Sequence, residues 1–84
     1  MTLRLRYFAS IREALGSGES FEPEVEGMTV AQVRDALIAR GGAHAAALGR
    51  TRAVRTALDQ VLCDEAALVP RDAEIAFFPP VTGG

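Results

Sequence analysis

The residues best suited to chemistry lie at the end of the chain, where the sequence reads FFPPVTGG. Gly83 and Gly84 carry no side chains, so a diglycine can enter a narrow channel and leaves the terminal carboxylate of Gly84 sterically open. This carboxylate is ionised at neutral pH and can attack an activated phosphate of ATP to form an acyl-adenylate. Sulfur or an amine can then displace the nucleotide. The ending therefore predicts a carboxyl group that is activated covalently.

The residues before the diglycine are predicted to form a stiff, apolar approach to it. Pro79 and Pro80 fix their backbone φ angles near about −65° and favour extended geometry, so we expect a spacer that leads away from the domain. Strand alternation turns Phe78 outward, and with Pro79 and Pro80 it is predicted to form an apolar interface for a partner. Two plainer interpretations stay open at this point: Phe78 packs under a neighbouring loop, or the diglycine is a flexible end without function.

Other reactive residue types are too few to build a second site. Cys63 lies in the apolar run Val61–Cys63 and is expected to pack as a small hydrophobe. His44 is expected to be a solvated loop residue without a role, and Arg71 is the weakest candidate, for steering a partner near the tail. One cysteine and one histidine provide neither an internal disulfide nor a structural zinc site, so no metal is predicted.

Composition narrows the class of protein further. The 84 residues are 49% hydrophobic and 24% charged, which is typical of one small globular domain. All nine basic residues are arginines and the net charge is −2, so a nucleic-acid partner is not expected. No apolar run approaches the roughly 18 to 20 residues that span a bilayer, so no membrane association is expected. The start, MTLRLRYFAS, lacks the pattern of an export signal, and a cytoplasmic location is predicted.

The first third of the chain predicts two strands with a short helix between them. Leu3, Leu5 and Tyr7 alternate with arginines, which predicts a half-buried strand over residues 2–8. Ser10 is predicted to cap a short helix over residues 11–15. A second strand over about residues 19–25 contains a proline and is therefore expected to be short and peripheral.

The rest of the chain predicts one main helix and then two or three strands. Thr29 can cap a helix whose apolar residues recur at helical spacing up to Ile38. Residues 43–48 are alanine-rich but few, so a loop or a single helical turn is expected there. Residues 53–58 and 61–63 suit a hairpin, and Pro79 ends a last strand over residues 74–78.

This order predicts an α+β fold with one helical layer, in which the first and last strands pair in the middle of a mixed sheet. A β-grasp (ubiquitin-like) domain over residues 1–78, with an extended tail over residues 79–84, fits best. A split ferredoxin-like domain or another small α+β roll also fits the strand count.

The sequence resembles the small subunits of molybdopterin synthase, a family of ubiquitin-like sulfur carriers. The likeness runs nearly end to end, through RYFASIREALG, the TV start of the main helix and EIAFFPPVTGG, and the ending is its most specific part. Two turn positions depart from the family pattern: Asp59 stands where asparagine is common, and Asp72-Ala73 stands where Gly-Asp is common. These departures affect local turns and leave the tail unchanged.

The resemblance implies a cycle of molybdenum-cofactor biosynthesis. An ATP-dependent activating enzyme would adenylate Gly84, and a sulfur donor would convert the adenylate to a thiocarboxylate. Val81, Thr82 and Gly83 would then insert into the large synthase subunit, where sulfur passes to cyclic pyranopterin monophosphate. The family assembles as two small and two large subunits. The chain would hold no permanent cofactor, would be no enzyme on its own, and would act as the sulfur-donating subunit of a sulfurtransferase.

Two other functions remain open on the sequence alone. The same tail chemistry would serve a carrier for thiazole synthesis or for tRNA thiolation. A noncovalent β-grasp interaction module, in which the tail only docks, would retain its activity without Gly84.

Overall fold

The computed structural model describes residues 1–80, which form a five-stranded sheet and three helices. The elements in chain order are β1 (Leu3–Tyr7), α1 (Ala9–Leu15), β2 (Gly18–Phe21), α2 (Val30–Ile38), α3 (Gly42–Leu48), β3 (Arg55–Leu58), β4 (Val61–Cys63) and β5 (Glu74–Phe78). None of these three helices has the length and hydropathy that a bilayer crossing needs.

The sheet has the strand order β2-β1-β5-β3-β4. β1 and β5 pair in parallel at its centre, with Leu5 opposite Ile75, and the other neighbouring strands pair antiparallel. The predicted pairing of first and last strands and the edge position of β2 are both confirmed. This mixed sheet is that of a β-grasp domain, so the predicted fold class is also confirmed.

The core lies between the sheet and the helices because alternate residues of β1 and β5 point to the same side. Tyr7 and Phe77 stack there with ring centroids 6.1 Å apart. The fully buried apolar side chains of the described residues are Leu3, Leu5, Tyr7, Val30, Val33, Leu37, Leu48, Ile75 and Phe77. Within residues 1–80, all three helices lie on the core side of the sheet.

The main helix begins as predicted. The hydroxyl of Thr29 accepts a hydrogen bond from the backbone N–H of Gln32, and the Gln32 side chain accepts one from the backbone N–H of Thr29. This reciprocal pair satisfies two N–H groups that the first helical turn cannot bond internally. The predicted hairpin also forms: Asp59 and Gln60 both adopt positive φ, the conformation of a two-residue hairpin turn, without a glycine.

Several local predictions were wrong. Ser10 lies inside α1, whose N-cap is Phe8 without a side-chain cap, and β2 ends at Phe21 because Glu22 and Pro23 already leave the sheet. β3 begins at Arg55, two residues later than predicted.

Residues 42–48 form the helix α3, where a loop or a single helical turn was expected. Seven residues are too few for a stable helix in isolation, so contacts with the rest of the domain must stabilise it. Leu48 is fully buried in the core, and the buried guanidinium of Arg34 binds the carbonyls of Leu48 and Gly49 at 2.7 and 2.9 Å. The C-terminal carbonyls of α3 are thus satisfied by a charge from α2, which the local sequence does not reveal.

Candidate functional site: the outer face of the sheet and the base of the tail

The tail begins at one end of the central strand pair. β5 ends at Phe78, and the half-buried Pro79 and Pro80 follow without regular secondary structure. Pro79 lines a surface cavity of about 310 Å³ between α1 and α3, together with Ser10 and Arg52. The spacer therefore starts against the helices. The predicted insertion residues Val81, Thr82 and Gly83, and the predicted reactive residue Gly84, lie outside the described residues, so their roles remain predictions.

An apolar patch lies on the helix-free face beside the base of the tail. β1 and β5 run in parallel, so Phe8 and Phe78 come to the same end of the sheet. One row of this face is formed by residues that are paired across successive strands: Arg6, Ala76, Ala57 and Leu62. We call the set Phe8, Ala57, Leu62, Ala76 and Phe78 the outer patch.

The outer patch has two prominent side chains and a shallow middle. Leu62 is 70% exposed and Phe8 is 41% exposed, and it is their position on one face with Phe78 that makes them informative. Ala57 and Ala76 face the same side, but neighbouring strands cover their small side chains, so both are buried. Phe78 lies on this face as the alternation predicted and is half-buried. Such a surface, with large side chains around a flat centre, suits protein docking.

The charges around the outer patch are mostly positive. Arg4, Arg6 and Arg55 lie on the same face by strand alternation. Arg6 is within 3.6 Å of Glu74, and its guanidinium lies 5.7 Å from the centre of the Phe8 ring. Arg4 and Arg55 have no ion-pair partner within residues 1–80. The face therefore favours a partner with acidic groups at its rim.

Sequence reasoning found Phe78 but missed Phe8 and Leu62. The alternation of β1 continues through Phe8, so that residue was accessible to the same argument that placed Leu5 and Tyr7 in the core. Alternation alone could not place Leu62, because its position on the face depends on the register of β4 against β3.

The other singled-out residues lie away from this face or have structural partners. Cys63 packs against the core as expected, half-buried, with its Sγ 3.6 Å from the hydroxyl of Thr56. Arg71 pairs with Glu26 near the start of β5, at the opposite end of that strand from the tail. Within residues 1–80, no group of three acidic, histidine or cysteine side chains is arranged to hold a metal ion.

His44 is not the solvated loop residue that was expected. It lies on α3, and its Nε2 is 2.8 Å from the carboxylate of Glu19, which also accepts hydrogen bonds from the Tyr7 hydroxyl at 2.9 Å and from Arg40 at 2.6 Å. Burial raises the pKa of Glu19, but the bonds from His44, Arg40 and Tyr7 lower it by more, to about 2. Burial, then the bond to Glu19, raises the pKa of Tyr7.

Comparison with known proteins identifies the family of this chain. The profile of the ThiS family matches residues 5–84, which is nearly the whole chain. The chain belongs to the ThiS family. Over 82 residues, this ThiS-family chain is 37% identical to the molybdopterin synthase sulfur carrier subunit of Haemophilus influenzae, covering 98% of this chain and 99% of that one. The family resemblance inferred from the tail is thereby confirmed.

Solved structures support the fold. This ThiS-family chain superposes on SAMP1 from Haloferax volcanii with a TM-score of 0.76 at 23% identity, covering 100% of both chains. It superposes with a TM-score of 0.69 at 22% identity, also over 100% of both chains, on a chain in the complex of subunits 1 and 2 of molybdopterin-converting factor from Helicobacter pylori. At these identities the likeness is one of fold.

Proposed function

We propose that this chain is the sulfur carrier subunit of a molybdopterin synthase, and that the carboxyl group of Gly84 is converted to the thiocarboxylate that carries the sulfur. The 37% identity over nearly the full length of a relative with that name carries the proposal. The FFPPVTGG ending supplies the chemistry, because it presents an unhindered carboxylate after a proline spacer.

The proposed cycle loads Gly84 in two covalent steps and regenerates its carboxylate in a third. A carboxylate oxygen attacks the α-phosphate of ATP in the activating enzyme, and pyrophosphate leaves. A sulfur nucleophile from the donor then attacks the acyl carbon, AMP leaves, and a thiocarboxylate remains. In the large subunit, the sulfur is transferred to cyclic pyranopterin monophosphate, and hydrolysis of the acyl group regenerates the carboxylate. ATP is thus consumed by the activating enzyme, and this chain holds no permanent cofactor.

The outer patch is the proposed docking face for both enzymes, which would bind in turn. It flanks the base of the tail, so a protein that covers Phe8, Leu62 and Phe78 is in position to receive residues 79–84. Burying exposed aromatic and leucine side chains supplies affinity, while the surrounding arginines favour an acidic rim. The catalytic acids and bases would belong to the partners, and the chain would act as substrate and carrier.

Intact mass spectrometry tests the proposal directly. The full chain is incubated with ATP, an activating enzyme and a sulfur source, beside a variant that lacks Gly84. We expect a mass increase equal to the replacement of one oxygen by sulfur in the full chain and none in the variant. The loaded chain should then convert cyclic pyranopterin monophosphate to molybdopterin when the large subunit is added.

Three outcomes would contradict parts of this function. No mass increase with an enzyme that loads another carrier would remove the carrier chemistry and leave a noncovalent module. Loading without molybdopterin formation, together with binding to a thiazole synthase or a tRNA-thiolating enzyme, would assign the sulfur to another acceptor. Retained synthase activity without Gly84 would exclude that residue as the carrier.

A further inference from the structure

A second groove lies on the helical side of the sheet, at the edge opposite β4. It has a volume of about 420 Å³ and is lined by Phe21, Glu22, Glu24, Val25, Met28, Ala36 and Ala39. Val25 is 63% exposed and Phe21 and Met28 are half-buried, so much of the lining is apolar and accessible. The outer patch lies on the opposite face of the sheet. The groove therefore has no part in the docking proposed for the tail.

The groove adjoins an unpaired strand edge, because Phe21 both lines the groove and ends β2. β2 pairs with β1 on one side only, with Glu19 opposite Leu5 and Phe21 opposite Leu3. The backbone N–H of Tyr7 donates to the carbonyl of Ser17. In an antiparallel pair, hydrogen-bonded residues alternate with non-bonded ones, so Ser17, Glu19 and Phe21 bond to β1. The N–H and C=O groups of Ser20 then point away from the sheet. Such an edge can accept another strand.

Unpaired negative charge lies just past the end of β2. Arg40 is also near this edge, 5.8 Å from the centre of the Phe21 ring, but it is paired with Glu19. Glu22 and Glu24 are both exposed and have no ion-pair partner within residues 1–80. Two copies of the chain that paired through β2 would bring these carboxylates together, so the charge opposes self-association. The same carboxylates attract lysine and arginine side chains on a different protein.

We propose that β2 and this groove bind an extended segment of a partner protein, about four to six residues long. Its groove-facing side chains are apolar, and basic residues stand at the end that lies beside Glu22 and Glu24. The segment adds a strand to the sheet by bonding to the free backbone groups of Ser20 and its neighbours. Its apolar side chains enter the groove beside Phe21 and Ala36. Its basic side chains lie near Glu22 and Glu24.

The length follows from β2 itself. The strand has four residues, and Pro23 then lacks the N–H that a longer ladder would need. The edge thus selects a short segment, and the acidic rim selects its charge.

The test uses the full chain and a short synthetic peptide in which valine alternates with serine and a lysine stands at each end. Either strand direction then brings one lysine to Glu22 and Glu24. Nitrogen–proton correlation spectra during titration should show the largest shifts at the amides of residues 18–22, with increased hydrogen-exchange protection at Ser20. A matched peptide with glutamate in place of each lysine should not bind. Glu22→Lys combined with Glu24→Lys should weaken binding of the lysine peptide by about tenfold.

Two further variants separate charge from strand addition. Ser20→Pro removes an outward N–H without removing a bond to β1, and should abolish binding if its spectrum stays otherwise native. Glu13→Lys makes half the charge change of the double variant, at an exposed residue of α1, and should leave the peptide affinity unchanged, whereas Glu22→Lys alone, with the same charge change, should weaken it.

Three results would overturn the proposal. These are equal binding of the acidic peptide, shifts confined to the outer patch, and no shift at residues 18–22 at millimolar peptide. Concentration-dependent shifts of these amides without peptide would instead assign the edge to a second copy of the chain. The mass assay of Gly84 is independent of all four outcomes, so failure here and failure of the sulfur-carrier function are distinguishable.

Discussion

Glu19 gathers donors from three separate parts of the fold. Tyr7 comes from β1, Arg40 follows α2, and His44 belongs to α3. Glu19 belongs to a run of glutamates, over residues 19–26, that is typical of a solvated face, but Glu19 is half-buried among these three partners. Its partners lie 12 to 25 residues away along the chain, so no local pattern reveals them.

This cluster should make stability depend on acid. The folded pKa of Glu19, about 2, lies below the unfolded value of 4.5, so its contribution is complete above pH 4.5 and is lost as the pH falls toward 2. We expect Glu19→Gln to lower the free energy of unfolding at neutral pH by about 2 kcal/mol and to flatten its decline below pH 4.5. Urea titrations across this pH range measure both effects. Glu13→Gln, at an exposed residue of α1, is the control, and an unchanged decline in Glu19→Gln would contradict the assignment.

At the scale of elements, α3 is a short helix held by another helix. Arg34 is only 3% exposed, and its guanidinium donates to the carbonyls of Leu48, Gly49 and Arg52 and to the carboxylate of Glu65. All these hydrogen bonds of Arg34 go to the last residue of α3 or to residues that follow it. The planar guanidinium suits this task because it presents five donors in a fixed arrangement.

Removing this contact should destabilise α3 before the rest of the domain. Arg34→Met leaves three carbonyls without their donor and should lower the free energy of unfolding by about 3 kcal/mol. Hydrogen exchange at residues 45–48 should rise more than exchange in β1. Denaturant titration and exchange measured by NMR check this, with the exposed Arg12→Met as control. A loss spread evenly over α3 and the sheet would contradict the local role.

Elements with strong periodicity were predictable, and those built by tertiary contacts were not. β1 alternates cleanly, β5 is an apolar run that Pro79 ends, and α2 carries its own capping box, so the sequence placed all three well. α3 depends on Arg34, which is an ordinary charged residue in a helical pattern until the structure shows what it binds. For the candidate site, alternation placed Phe78 outward, whereas Leu62 needed the hairpin register.

At the scale of the molecule, the chain presents two candidate docking surfaces that share no residue. The outer patch lies on the helix-free face, and the groove beside β2 lies between the sheet edge and α2. Sites without common contacts usually respond to substitution independently. The two proposals are therefore compatible, because a partner on the outer patch leaves the groove beside β2 free for another protein.

Independence of the two surfaces is measurable. Leu62→Glu should weaken binding to the large synthase subunit by about tenfold, because it places a carboxylate in the apolar contact, and should leave the lysine peptide affinity unchanged. Glu22→Lys should weaken binding of the lysine peptide and leave the affinity for the large synthase subunit unchanged. Since both residues are exposed, each variant should change the free energy of unfolding by less than about 0.5 kcal/mol. Calorimetric titration of both variants and the double variant checks this, and effects of either variant on both ligands would contradict it.

The central position of β5 also sets the order of events during protein synthesis. β1 is made first, but the strand that joins it to β3 is made last, since β5 spans Glu74–Phe78. Until those residues exist, the growing polypeptide has only two separate strand pairs, β2-β1 and β3-β4, and neither can enclose Tyr7 or Leu5. A growing polypeptide thus has no enclosed core until β5 has left the ribosome, because nothing joins β1 to β3 before then.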